Sequence, residues 1–301
     1  MAPAARADRP HPPGGHGVND LALLGQPFVY HGLVVGSVVA VLCGLVGFFT
    51  VLRGQVFAGD ALSHVSYTGA VAALAVGVDL RFGLFAATLA VGGVLGLIGG
   101  RWVADDVVIG TTFAWILGLG VLFVSVYNAH GRGTNGSVTT SVLFGSMFGI
   151  STHATVTAVT VAVVLLGVMV VIGRPLLFAS IDPVVAAARG VPVRLLNTAF
   201  LLVLAGAAAE ITQVVGAILL LGLLAAPAGA ASRLTHRPWR AAGLSVAIAV
   251  AAVWVGVLLS LVVAQIPVSF GVVATAAAAA YGVAVAWTRR PRRDRPAQVG
   301  S

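Results

Sequence analysis

The sequence contains no lysine: all 17 of its basic residues are arginine. A phosphate-binding loop of the form Gly-x-x-x-x-Gly-Lys-Ser/Thr needs that lysine, so this chain cannot supply one. If ATP drives the protein, another subunit binds the nucleotide. Carboxylates are almost as scarce, with nine in 301 residues. Glu210 is the sole glutamate and follows Ala209, so no His-Glu-x-x-His pair exists, and an enzyme built on that zinc motif is excluded. Cys43 is the only cysteine, which rules out an internal disulfide and a thiolate metal cage. Charged residues make up 9% of the chain and hydrophobic ones 59%. Soluble domains carry about 25% charged residues, so this chain belongs in lipid.

What is present is a series of apolar runs near the roughly 20 residues that a helix needs to cross about 30 Å of hydrocarbon. They fall at about 28–52, 60–78, 82–103, 107–127, 152–173, 195–212, 213–232, 241–264 and 267–287. The alternating pattern of a membrane β-barrel is absent. The fold class expected is therefore all-α, a polytopic transmembrane bundle of about eight or nine spans. Residues 1–27, polar and rich in Pro and Gly, are expected to form a disordered tail, 28–287 the membrane domain, and 288–301 a basic cytoplasmic tail. The segment 138–150 is apolar but too short to cross, so a surface or re-entrant piece is expected there.

Arginine placement gives the orientation. Arg53, Arg101, Arg174, Arg189, Arg194, Arg233, Arg237, Arg240 and the tail arginines from Arg289 to Arg295 gather on one side, which the positive-inside rule makes cytoplasmic. This distribution explains the +8 charge as a lipid-anchoring device and not as a nucleic-acid surface.

Three carboxylates lie where they could carry chemistry. Asp60 and His64 are four residues apart, so on a helix they share one face. Ionisable groups at membrane depth are costly and mark ion paths, and Asp oxygen with His nitrogen suits Zn²⁺ or Mn²⁺. Two ligands do not complete a shell. The competing reading makes Asp60 a helix cap after Gly59. Tyr67 falls on the same face. Glu210 either ends a span at the interface or projects into the path. Asp182-Pro183 through Gly190 spells a short cytoplasmic helix: an Asp cap, Pro at the first turn and Gly at the stop.

Three stretches together resemble the permease subunits of zinc/manganese-type ABC importers. They are Arg53 to His64 with its Gly-Asp-Ala-Leu-Ser-His, Asp182-Pro183 through Gly190-Val191-Pro192, and Val214 to Leu220 continuing to Pro227-Ala228. Leu143-Phe144-Gly145 also fits, and the match runs from about 28 to 287. The resemblance implies a permease homodimer, cytoplasmic ATPase subunits that bind ATP, and an extracytoplasmic protein that delivers the metal. It places Asp60 and His64 on the translocation path; Glu210 joins them as a further candidate on its own position in the sequence. It makes Asp182, Pro183, Ala186, Ala187, Arg189 and Gly190 the coupling helix. No permanently bound cofactor is expected; Zn²⁺ or Mn²⁺ is cargo. At Ser66-Tyr67-Thr68-Gly69 the chain departs from the family, which usually has an apolar residue and Pro before Gly. A proton-coupled secondary transporter and an ABC permease for a metal chelate stay open as alternatives.

Overall fold

The computed structural model describes residues 27–98, 106–129, 142–145, 152–263 and 267–288. Both expected tails lie outside these residues, apart from Pro27 and Thr288. All regular structure among the described residues is helical. The helices are α1 (Pro27–Leu52), α2 (Val56–Val76), α3 (Leu80–Ile98), α4 (Asp106–Ala129) and α5 (Thr152–Ile181). There follow α6 (Pro183–Ala188), α7 (Val193–Val214), α8 (Leu220–Leu234), α9 (Pro238–Val262) and α10 (Val268–Thr288).

Seven of these are long and apolar enough to cross a membrane: α1, α3, α4, α5, α7, α9 and α10. The 21 residues of α2 give it a length of about 30 Å at 1.5 Å per residue, but it is the more polar one, because it carries Asp60, Ser63, His64, Ser66 and Thr68. At 15 residues α8 is apolar but short. The protein is thus a multi-pass membrane protein.

The bundle is organised around α7, whose membrane stretch is 78% buried, against 11% for α4. α7 packs on α1, α2, α3, α5 and α8; one group, α2–α3–α4, lies on one flank and α1–α8–α9–α10 on the other. Small residues set the close crossings. A Cβ placed on Gly92 of α3 would come within 2.6 Å of the Ala205 Cβ on α7, and one on Gly96 within 2.9 Å of the Thr198 Cα. The Thr198 hydroxyl then donates to the Gly96 carbonyl at 3.0 Å, locking α3 to α7.

Two boundaries differ from the expectation. The span expected to stop near residue 173 continues through Pro175 to Ile181. Proline removes one helical hydrogen bond, which packed membrane helices tolerate, and Leu176 and Ala179 beyond it are buried in the core. Packing, not local propensity, extends the helix. The runs at 195–212 and 213–232 are separated by a turn at 215–219 in which Gly216 has φ +101°. Of the expected re-entrant piece only 142–145 is described. Its Val142 and Leu143 carbonyls accept the backbone N–H groups of Ala217 and Ile218, each at 3.3 Å.

Candidate functional site

α2 begins at Val56, with Gln55 before it, so Asp60 stands inside the first turns and does not cap the helix. The Gly59 N–H is already taken by the Gln55 carbonyl at 3.2 Å. Most of α2 is buried, including Ala58, Ala61, Leu62, Val65, Ser66 and Gly69. Between Phe57 and Val71 the residues left less than fully buried are Phe57, Asp60, His64 and Tyr67, which stand at helical spacing on one stripe. Asp60 lines a cavity of about 480 Å³ with Gly54, Val56, Phe57 and Leu221 of α8. Neither the Asp60 carboxylate nor the His64 ring has a hydrogen bond or ion pair among the described residues. The His64 ring meets Phe113 of α4 edge to face, with ring centroids 5.1 Å apart; Phe113 also meets Phe57 at 6.0 Å. A carboxylate and an imidazole one turn apart are thus held on a semi-open face with their polar atoms available.

Glu210 is not brought beside them. Among the described residues, no three His, Cys, Asp or Glu side chains gather closely enough to hold a metal. Gln55 and Asn197 touch, with the amide Nε2 donating to Oδ1 at 3.3 Å, and α2 and α7 rise in the same direction from there. At 1.5 Å per residue, Asp60 stands about 8 Å above that level, His64 about 14 Å, and Tyr67 and Glu210 both near 18–20 Å. Tyr67 packs in the same small cluster as Ala209, the neighbour of Glu210. Glu210 is 2% exposed and does not end a span at the interface; its Oε1 is buried with no hydrogen-bond partner among the described residues. A buried carboxylate so placed needs a counter-charge or a proton.

At the opposite end of α7, the Asp182 carboxylate caps α6 by accepting from Val184 N at 3.1 Å and Val185 N at 3.0 Å. Pro183 takes the first turn, and Gly190, at φ +81°, ends the segment. Ala186 is fully buried and seats the helix, whereas Val184, Val185, Ala187, Ala188 and Arg189 are exposed. The outer face is therefore apolar and small, with one cation. Replacing Asp182 by alanine is expected to cost about 1 kcal/mol of local stability. Hydrogen exchange should then run about fivefold faster at the Val184 and Val185 amides.

The sequence had given Arg53 only a place on the cytoplasmic side. In the structure its guanidinium turns inward, donating through Nη1 to Ser180 Oγ at 3.0 Å and through Nη2 to Asn197 Oδ1 at 2.7 Å. The Phe200 ring lies 5.4 Å from its Cζ. Burial lowers the guanidinium from its ordinary pKa, though arginine stays charged in proteins. No local motif signals this node, because its partners lie 127 and 144 positions away in the chain.

The fold and site together define a polytopic helical membrane protein with a carboxylate and an imidazole one turn apart on α2, without polar partners among the described residues, and a capped short helix at one end. The ABC 3 transport family profile matches residues 26–288, and the chain belongs to that family. It is 29% identical over 216 residues to a protein of Halalkalibacterium halodurans named manganese transport system membrane protein MntC, covering 71% of this chain and 72% of that one. It is 27% identical over 235 residues to a Haemophilus influenzae protein named "Probable iron transport system membrane protein", covering 77% and 84%. Among solved structures, PsaBC from Streptococcus pneumoniae in complex with Fab superposes with a TM-score of 0.76 at 23% identity, covering 88% of this chain and 94% of that chain. That last likeness establishes the shared fold.

Proposed function

We propose that this chain is the membrane permease of an ATP-driven importer for a divalent transition metal ion, with ATP bound by separate cytoplasmic subunits. The observation that carries this is the Asp60/His64 pair: one helical turn apart, Asp60 lining a cavity, with no hydrogen-bond or ion-pair partner for either polar group among the described residues. Structural carboxylates and imidazoles in lipid are paired; groups left available at such cost serve a passing ion. Oxygen and imidazole nitrogen suit Mn²⁺ and Zn²⁺ alike. The names of the relatives favour manganese.

Two ligands hold a metal weakly, as a step on a path requires. Water, or the same pair from a second copy in a homodimer, completes the shell. Above the pair, Tyr67 leads to the level of Glu210, whose carboxylate, with Oε1 lacking a hydrogen-bond partner among the described residues, forms the outer step. Asp182, Pro183, Ala187, Arg189 and Gly190 present the surface that docks on the ATPase, with Ala186 anchoring it from within. An extracytoplasmic metal-binding protein delivers the ion.

The test is reconstitution of the chain with its ATPase in liposomes, using radiolabelled manganese and zinc. Uptake is expected to require ATP and to survive dissipation of the proton gradient. Uptake that proceeds without ATP and collapses with an uncoupler would establish a proton-coupled carrier instead.

A further inference from the structure

A turn arginine at the cytoplasmic surface normally extends into water or toward lipid headgroups. Arg53 does neither. Two of its bonds reach the last turn of α5 at Ser180 and the start of α7 at Asn197, two positions that bracket the 182–192 segment carrying α6. α6 packs on those two helices. Arg53 thus grips both ends of the mount on which α6 sits.

The other side of the node leads to the ion path. Asn197, 3% exposed, uses the same Oδ1 to accept from Gln55, itself 1% exposed and the last residue before α2. The Gln55 carbonyl in turn accepts the Gly59 N–H, adjacent to Asp60. From Arg53 to Asp60 the chain therefore has little slack. Its start is fixed to α5 and α7 by a planar fork, whose rigid geometry transmits direction as well as distance.

We propose that Arg53 is a positioning residue that carries displacement of the 182–190 helix to the base of α2, so that docking events at the cytoplasmic face reset Asp60 and His64. The proposal rests on the permease reading above. Two sites are coupled through an element whose equilibrium both of them bias, and Arg53, with Asn197, joins the mount of α6 to the base of α2. Loss of the fork leaves α6 seated through Ala186 and α2 packed on α3 and α4, so each part persists while their relation is lost.

The experiment compares the wild-type complex with Arg53→Gln, Arg53→Lys, Asn197→Leu and Asn197→Asp in proteoliposomes. ATP hydrolysis, metal uptake and hydrogen exchange over residues 56–60 are measured with and without a non-hydrolysable nucleotide. Arg53→Gln and Asn197→Leu are expected to keep hydrolysis within about twofold while uptake per ATP falls about tenfold or more. Asn197→Asp, which retains the acceptor, should keep the ratio, and Arg53→Lys, a single point charge, should fall between. The double variant Arg53→Gln/Asn197→Leu should be no worse than either single, as for one shared link. The nucleotide should alter exchange at 56–60 in wild type and leave it unaltered in Arg53→Gln. An unchanged uptake ratio, or an exchange response equal to wild type, overturns the proposal. So does a parallel fall of hydrolysis, uptake and thermal stability, which marks a merely structural bond. Failure of the wild-type complex to import metal would instead overturn the permease reading, and the exchange response still decides the role of Arg53.

Discussion

Replacing Asp60 and His64 together by alanine is expected to lower ATP-driven metal uptake by about two orders of magnitude, while the complex still assembles. Loss of residues that only orient a metal ligand already costs about 10–100-fold, and this variant removes two candidate ligands outright. Asp60→Asn, which keeps an oxygen donor but not the charge, should fall in between. The companion expectation concerns stability. Deleting a partnered buried group leaves its partner stranded and costs about 1–3 kcal/mol. Asp60 and His64 strand nothing, since neither has a polar partner among the described residues. Their removal also takes two costly groups out of the membrane. The double variant should therefore unfold no earlier than wild type in a detergent thermal melt. Uptake retained at the wild-type level would refute the path; uptake lost together with stability would mark the pair as structural.

How far the sequence could be read follows from how local each feature is. The α6 cap depends on contacts two and three residues ahead of Asp182, so Asp, Pro and Gly in order were sufficient to predict it. The Asp60/His64/Tyr67 stripe depends on helical spacing alone and was legible for the same reason, as was the multi-pass helical architecture. Glu210 was ambiguous between interface and interior because the sequence around it, Ala207-Ala208-Ala209-Glu210-Ile211, suits either. Its burial comes from α7 occupying the centre of the bundle, which is a property of the whole packing. The apolar run ends near residue 173, but the tertiary burial of Leu176 and Ala179 carries α5 on through Arg174 and Pro175. That extension delivers Ser180 to Arg53, so the node was illegible twice over: through distance in the chain, and through a helix end that only packing determines.

The second large effect is expected at the turn between α7 and α8. Gly216 has φ +101°, and the backbone of 142–145 lies directly against it. A Cβ there would collide with the Leu143 carbonyl oxygen and come within 2.5 Å of the Phe144 carbonyl carbon. The fit is reciprocal: Gly145, at φ +77°, would place its own Cβ 2.5 Å from the Val214 carbonyl oxygen. Two glycines thus allow two backbones to touch, and the Ala217 and Ile218 amides left free by the break find the Val142 and Leu143 carbonyls. In hydrocarbon, amides without partners would each cost several kcal/mol. Gly216→Leu is therefore expected to destabilise by about 2–5 kcal/mol, from a left-handed conformation costing about 1–2 and overpacking adding about 1–3. Gly145→Leu should do the same, and the two should be less than additive because they disrupt one contact. Gly167→Ala, at a helical glycine with open space around it, should be neutral or slightly stabilising. Thermal melts in detergent of wild type, the three single variants and the Gly216/Gly145 double variant decide the matter: a Gly216 variant melting with wild type would mean that the α7–α8 break does not depend on this contact. A broken helix held by backbone contact alone is rigid only while both glycines stay small. Glu210, less than two turns before the break, is kept at its level by that junction, so uptake in Gly216→Leu should fall further than the loss of folded protein accounts for.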